Sequence, residues 1–277
     1  MKNTTTILIS TLIALNVLSC SSKEMAKPEP APKKMESYFP NVNGCFLLYD
    51  MKNSKWVEEF NPERCKERTA PCSTFKVPLA LAAFDAGVLK DENTLYKWDG
   101  KQRWLPDWNK DQTAASWMKY STVWYSQRIT EKMGRKKVQS YLNKLEYGNK
   151  DFSGGLDDAW LTPKASVLIS GYEQIEFWKK LWTNSLPVSQ KSLELTRKLT
   201  FLETTPRGFT LHGKTGSGNF GVDNGQRLGW FVAHIEGQGK EYLAVVTLND
   251  LTPTSETGGG RLAKEALLAI LKDRGLY

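Results

Sequence analysis

Apolar and polar positions change period several times along the chain, and each change marks a new element. GCFLLYD (residues 44–50) and KWVEEFN (55–61) are short extended runs separated by MKNS, the pattern of a hairpin. STFKVPLALAAFDA (73–86) is apolar at helical spacing and stops at Gly87, a favourable helix C-terminal cap. Pro78 inside it is expected to cost one backbone hydrogen bond and bend the helix. A polar, Trp-rich middle follows, with helical periodicity over 114–125, 128–145, 163–182 and 190–202. From Gly208 the period becomes that of strands, in TLHGKTG, RLGWFVAHIE and KEYLAVVTLND, and RLAKEALLAILKDRGL closes the chain as an amphipathic helix. Strands at both ends with helices between predict an α+β fold: an antiparallel sheet flanked by helices, plus a helical lobe inserted at about residues 90–205. A site is expected where lobe and sheet meet.

The first forty residues have a different character. MKNTTTILISTLIALNVLSC joins Lys2, an apolar run and small residues before Cys20, which reads as a secretory signal over 1–19 and is too short for a membrane span. VLSC resembles a bacterial lipobox, which would attach a lipid anchor through Cys20; ordinary cleavage is the alternative. Residues 20–37 are rich in Pro, Lys and Glu and read as a tether, placing the folded domain at 38–277. The expected location is the periplasm, at the membrane if Cys20 is lipidated. In that oxidising compartment Cys45, Cys65 and Cys72 imply one disulfide and one thiol. Cys45 with Cys65 is the preferred pair, and Cys72 is expected to be buried.

Composition narrows the partners. A hydrophobic fraction of 40% and ten Trp in 277 residues allow a substantial core. The formal charge of +8 comes from Lys and Arg interleaved with acids, as in EKMGRKK, so it reads as a solvated surface and no nucleic acid is expected. GFTLHGKTGSGNFG (208–221) matches both a P-loop and G-x-G-x-x-G, yet either motif needs a following helix whose amides hold phosphate. GSGNFGVDNGQ opposes a helix, at up to about 1 kcal/mol per Gly, so no nucleotide is expected. Neither the cysteines nor His212 and His234 supply a zinc site.

The chemistry lies elsewhere. Ser73 and Lys76, three apart, share one helix face. A serine hydroxyl needs a base to become a nucleophile, and a lysine set between Phe75 and Val77 can serve when desolvated. The helix start adds amides suited to an oxyanion. Ser121-Thr122-Val123 and Lys214-Thr215-Gly216 supply a second serine and lysine, able to relay a proton and bind a carboxylate. The glycines after Lys214 let a substrate approach the strand backbone. Singly, these motifs are a capped helix with a surface lysine, another cap and a turn; their order and separations make the combination specific. A histidine-based serine hydrolase lacks G-x-S-x-G and has only His212 and His234 as bases.

On these residues the chain resembles the class D, oxacillinase-type, serine β-lactamases from about Tyr38 to its end. The matching segments are PCSTFK (71–76), STV (121–123), YGN (147–149), AWL (159–161), KTG (214–216) and Arg261 at the start of the last helix. The resemblance implies the fold shared by penicillin-binding transpeptidases and β-lactamases, with β-lactam antibiotics as substrates and resistance as the consequence. It implies no metal, and no cofactor beyond carbon dioxide or bicarbonate. Ser73 would form the acyl-enzyme and Lys76, N-carboxylated, would be the general base, with Ser121 relaying protons. Lys214, Thr215, Gly216 and Arg261 would bind the substrate, with its carboxylate on Lys214, Thr215 and Arg261, and the amides of Ser73 and Ser217 would form the oxyanion hole. Trp160 would bond the carbamate, covered by Val123 and Leu161. A transpeptidase or carboxypeptidase, and a sensor that stays acylated, share the same motifs.

Overall fold

A strand packed on both faces has no polar side, which is why KEYLAVVTLND reads as a nearly continuous apolar run. The computed structural model describes residues 33–219, 226–251 and 258–277, so the signal segment, Cys20 and most of the tether lie outside the described residues. The hairpin of β1 (Val42–Asp50) and β2 (Lys55–Phe60) is followed by α1 (Pro62–Lys66). Cys65 on α1 is bonded to Cys45 on β1, and Cys72 is a buried free thiol, as expected. A 3₁₀ turn, Cys72–Phe75, leads into α2 (Lys76–Asp85).

The middle of the chain holds a two-stranded ribbon, β3 (Leu95–Tyr96) with β4 (Gln112–Thr113), and a run of helices. These are α3 (Ala114–Tyr120), α4 (Val123–Met133), α5 (Arg135–Leu145), α6 (Gly171–Trp182) and α7 (Gln190–Thr200). Then come β5 (Phe201–Thr204), β6 (Thr210–Asn219), β7 (Arg227–Gly237), β8 (Lys240–Asp250) and α8 (Gly259–Asp273). The six main strands form one antiparallel sheet in the order β2-β1-β8-β7-β6-β5. On one face Phe231, Ala233 and Val246 pack with Leu267 and Ile270 of α8. On the other Trp230, Val232 and Val245 join Leu79 of α2, Trp117 of α3 and Trp178 of α6. Lys214 lies opposite Val232 on the β6–β7 ladder and so shares its face.

Four elements differ from expectation. The helix over 114–125 breaks at Ser121, whose φ of 58° is left-handed, and the one over 128–145 breaks at Gly134, φ 73°. The helix expected from 163 starts only after Ser170, which closes a capping box with Glu173. The helix over 190–202 ends at Thr200, and the next four residues form β5, recruited by backbone pairing with β6. Pro78 is the third residue of α2, just after the 3₁₀ turn. Among the described residues no helix is long and apolar enough to cross a membrane.

Candidate active site

The turn carrying Ser73 is held from several sides. Cys72, at φ 48°, donates its N–H to the Trp160 carbonyl at 3.1 Å. Thr74 bonds the Pro71 carbonyl through both its N–H (3.1 Å) and its hydroxyl (2.7 Å), and Gln174 of α6 donates to that hydroxyl at 2.9 Å. Strand β6 presses directly on this turn. A Cβ on Gly216 would lie 2.7 Å from the Pro71 carbonyl oxygen, and one on Gly218 would lie 2.6 Å from Cys72 Sγ. The glycines that imitate a nucleotide loop are therefore there for close packing of strand on turn.

Within this frame Lys76 is wholly buried, and its Nζ lies 3.1 Å from Ser73 Oγ. Burial is the largest cause holding the Lys76 ammonium well below the usual lysine range, followed by the positive charge of Lys214. A neutral amine has a lone pair for the serine proton; an ammonium does not. Burial also pushes the neighbouring Cys72 thiol up to about 12, so it stays protonated beside the nucleophile.

The second pair comes from distant sequence. The break after α3 leaves Ser121 half-buried with its Oγ accepting from Lys214 Nζ at 2.8 Å, across 93 residues. Lys214 also donates to the Thr215 carbonyl at 3.1 Å, and burial, then repulsion from Lys264, lowers it to about 7. Thus Ser73 with Lys76 and Ser121 with Lys214 lie close together, the charge of Lys214 acting on Lys76.

The chain matches the penicillin binding protein transpeptidase domain family over residues 27–272. It is 38% identical over 236 residues to β-lactamase OXA-1 of Escherichia coli, covering 83% of this chain and 84% of that one. The structure of class D β-lactamase BAT-2 superposes with a TM-score of 0.79 at 32% identity, covering 88% of this chain and 97% of that one. The chain belongs to the class D β-lactamases. The C-terminal domain of the Bacillus licheniformis BlaR penicillin receptor is also similar, with a TM-score of 0.81 at 30% identity, covering 89% of this chain and 97% of that one.

For a class D enzyme the surroundings of Lys76 matter most. Trp160 is fully buried and stacks on Phe75 with ring centroids 5.3 Å apart, and Phe152 and Tyr147 extend this aromatic layer. Among the described residues Trp160 Nε1 has no acceptor. That leaves a buried indole N–H without a partner, on a ring stacked against the residue before Lys76. Val123 opens α4 and Leu161 follows Trp160; both are half-buried.

Arg261 departs from expectation. Its guanidinium pairs with Glu265 at 2.8 Å one turn along α8, and the side chain is 76% exposed, so the structure does not bring it to Lys214 and Thr215. The start of α8 does reach the site, because Gly260 donates its N–H to Ser217 Oγ at 2.9 Å. Sequence reasoning missed Gln174 and Phe152. Gln174 carried a signal: with Trp178 and Leu181 it occupies the apolar stripe of α6, where an isolated polar group requires a partner. Phe152, in a loop, carried none. Asn149 of the YGN segment is structural: it donates to the Ser166 carbonyl at 2.8 Å and accepts from Leu168 N–H at 2.9 Å.

Proposed function

We propose that this protein opens the amide of β-lactam antibiotics and hydrolyses the resulting acyl-enzyme, conferring resistance. The observation that carries this reading is the convergence of two serine–lysine pairs, Ser73 with Lys76 and Ser121 with Lys214. Lys214 and Thr215 hold the substrate carboxylate, setting the lactam carbonyl against Ser73. Ser73 Oγ gives its proton towards Lys76, bonds to the carbonyl carbon, and the C–N bond breaks. The Ser121 hydroxyl, oriented by Lys214, passes a proton to the leaving nitrogen as it takes up the one held at Lys76. The amides of Ser73 and Ser217 receive the oxyanion. Carbon dioxide added to the neutral Lys76 amine, with loss of one proton to solvent, would supply a carbamate whose anionic oxygens activate the deacylating water. Trp160 Nε1 is the donor available to it, and Val123 and Leu161 keep bulk water from it.

Steady turnover of a chromogenic cephalosporin by the purified protein tests the reading. A single burst that stops would favour a second one, a penicillin sensor, which the likeness to the BlaR receptor domain supports. Transpeptidases and carboxypeptidases predict the same burst and are separated by turnover of peptidoglycan peptides.

Export to the periplasm belongs to this proposal. The Cys45–Cys65 disulfide supports an oxidising compartment. Intact-mass measurement of the exported protein is expected to show cleavage before Cys20, with added lipid mass if the lipobox operates; retention of residues 1–19 overturns export.

A further inference from the structure

Beyond Lys214 and Thr215 a cavity of about 560 Å³ opens, in the size range of ligand pockets, and neither Ser73 nor Lys76 lines it. Its charge is one-sided. Lys119 of α3, Lys198 of α7, Lys214 of β6 and Lys264 of α8 face a single carboxylate, Glu92, and Lys198 already holds that one at 2.5 Å. Among the described residues no carboxylate pairs with Lys119, Lys214 or Lys264; Lys119 lies over the Tyr120 ring and Lys264 over the Phe231 ring. Lys264 and Lys214 repel one another closely enough to ease a proton off Lys214. Met118 and Leu199 give the cavity apolar walls, and Phe201 and Leu202, 50% and 38% exposed, form its lip.

Three cations left without a counter-charge around an apolar-walled cavity are suited to an anionic arm with some hydrophobic body. The geometry points to a second anion subsite in which Lys119 and Lys264 receive an acidic substituent carried by the substrate next to its carboxylate. This rests on the β-lactamase reading. In a cephalosporin the ring carboxylate sits at C4 and the variable arm at the adjacent C3. With the carboxylate on Lys214 and Thr215, that arm leaves at the cavity end of the site, away from Ser73. The substrates favoured are therefore cephalosporins whose C3 arm ends in a sulfonate or carboxylate.

The test uses two 7-mandelamido cephalosporins that differ in one group: a 1-methyltetrazolylthio arm at C3 and its 1-sulfomethyl analogue. In low salt, kcat/KM for the sulfonate is expected to exceed that for the neutral arm about fivefold, as two partly exposed charge contacts permit. The preference is expected to fall to about one in K119Q/K264Q. It should persist in K136Q/K137Q, which removes the same charge from exposed positions of α5. Sodium sulfate, compared with sodium chloride at equal ionic strength, is expected to inhibit wild type competitively and K119Q/K264Q less. Equal loss of preference in both double variants would mean that only net charge acts, and overturns the subsite, as does no preference in wild type. If both cephalosporins are turned over equally, only the subsite fails; if neither is turned over, the hydrolase reading fails and takes the subsite with it.

Discussion

The site contains the same pair twice, and the two copies have different surroundings. Lys76 meets Ser73 within one helical turn, wholly buried beside an aromatic layer of Phe75, Phe152 and Trp160. Lys214 meets Ser121 across two parts of the fold, beside an open cavity lined by further lysines. Both lysines lose proton affinity through burial, which holds Lys76 well below its ordinary range and lowers Lys214 to about 7. A dry aromatic wall stabilises an uncharged amine, which is what a base requires. A lysine that still titrates near neutrality keeps charge available for an anion. The comparison teaches that residue type names the chemistry available, and surroundings decide which part of it is used.

The comparison can be broken at either pair. The largest effect is expected at the first: Ser73→Ala should cut hydrolysis by at least about four orders of magnitude with the fold intact by circular dichroism, since it removes the nucleophile alone. Turnover near the wild-type rate would refute the assignment. Next, degassing the enzyme at mildly acidic pH should lower activity about a hundredfold, the scale of a lost general base, with recovery on adding bicarbonate. Lys76→Ala should be inactive with or without it. Labelled bicarbonate should give a carbamate carbon signal in wild type only, and full activity of degassed wild type would refute carboxylation.

A smaller loss, about tenfold and in deacylation more than acylation, is expected for Trp160→Phe. That change keeps the ring stack on Phe75 but removes the indole N–H, one hydrogen bond to a charged group. Pre-steady-state kinetics separate the two steps. The second pair is probed by pH. In Ser73→Ala, which binds without acylating, Kd for a penicillin should rise about tenfold between pH 6 and pH 8. The charged form of Lys214 holds the carboxylate, and it is lost as pH rises through about 7. Lys214→Arg, charged throughout, should flatten that profile; a Kd independent of pH in Ser73→Ala would show that Lys214 does not titrate there.

Much of this molecule was legible in its sequence because the signals were local. An i, i+3 spacing puts Ser73 and Lys76 together in any helical turn, period-two and period-3.6 patterns located most strands and helices, and an odd cysteine set implied one disulfide and one thiol. What the pattern could not carry was direction. Only the tertiary structure breaks the chain at Ser121 so that its hydroxyl reaches Lys214, draws residues 201 and 202 out of the expected helix into the sheet, and turns Arg261 along α8 towards Glu265. Desolvation belongs to the same class. The proton affinity of Lys76 is set by groups from α2, β6 and the loop of Trp160 that meet only after folding, whereas periodicity records which side of an element is apolar and not what will lie against it.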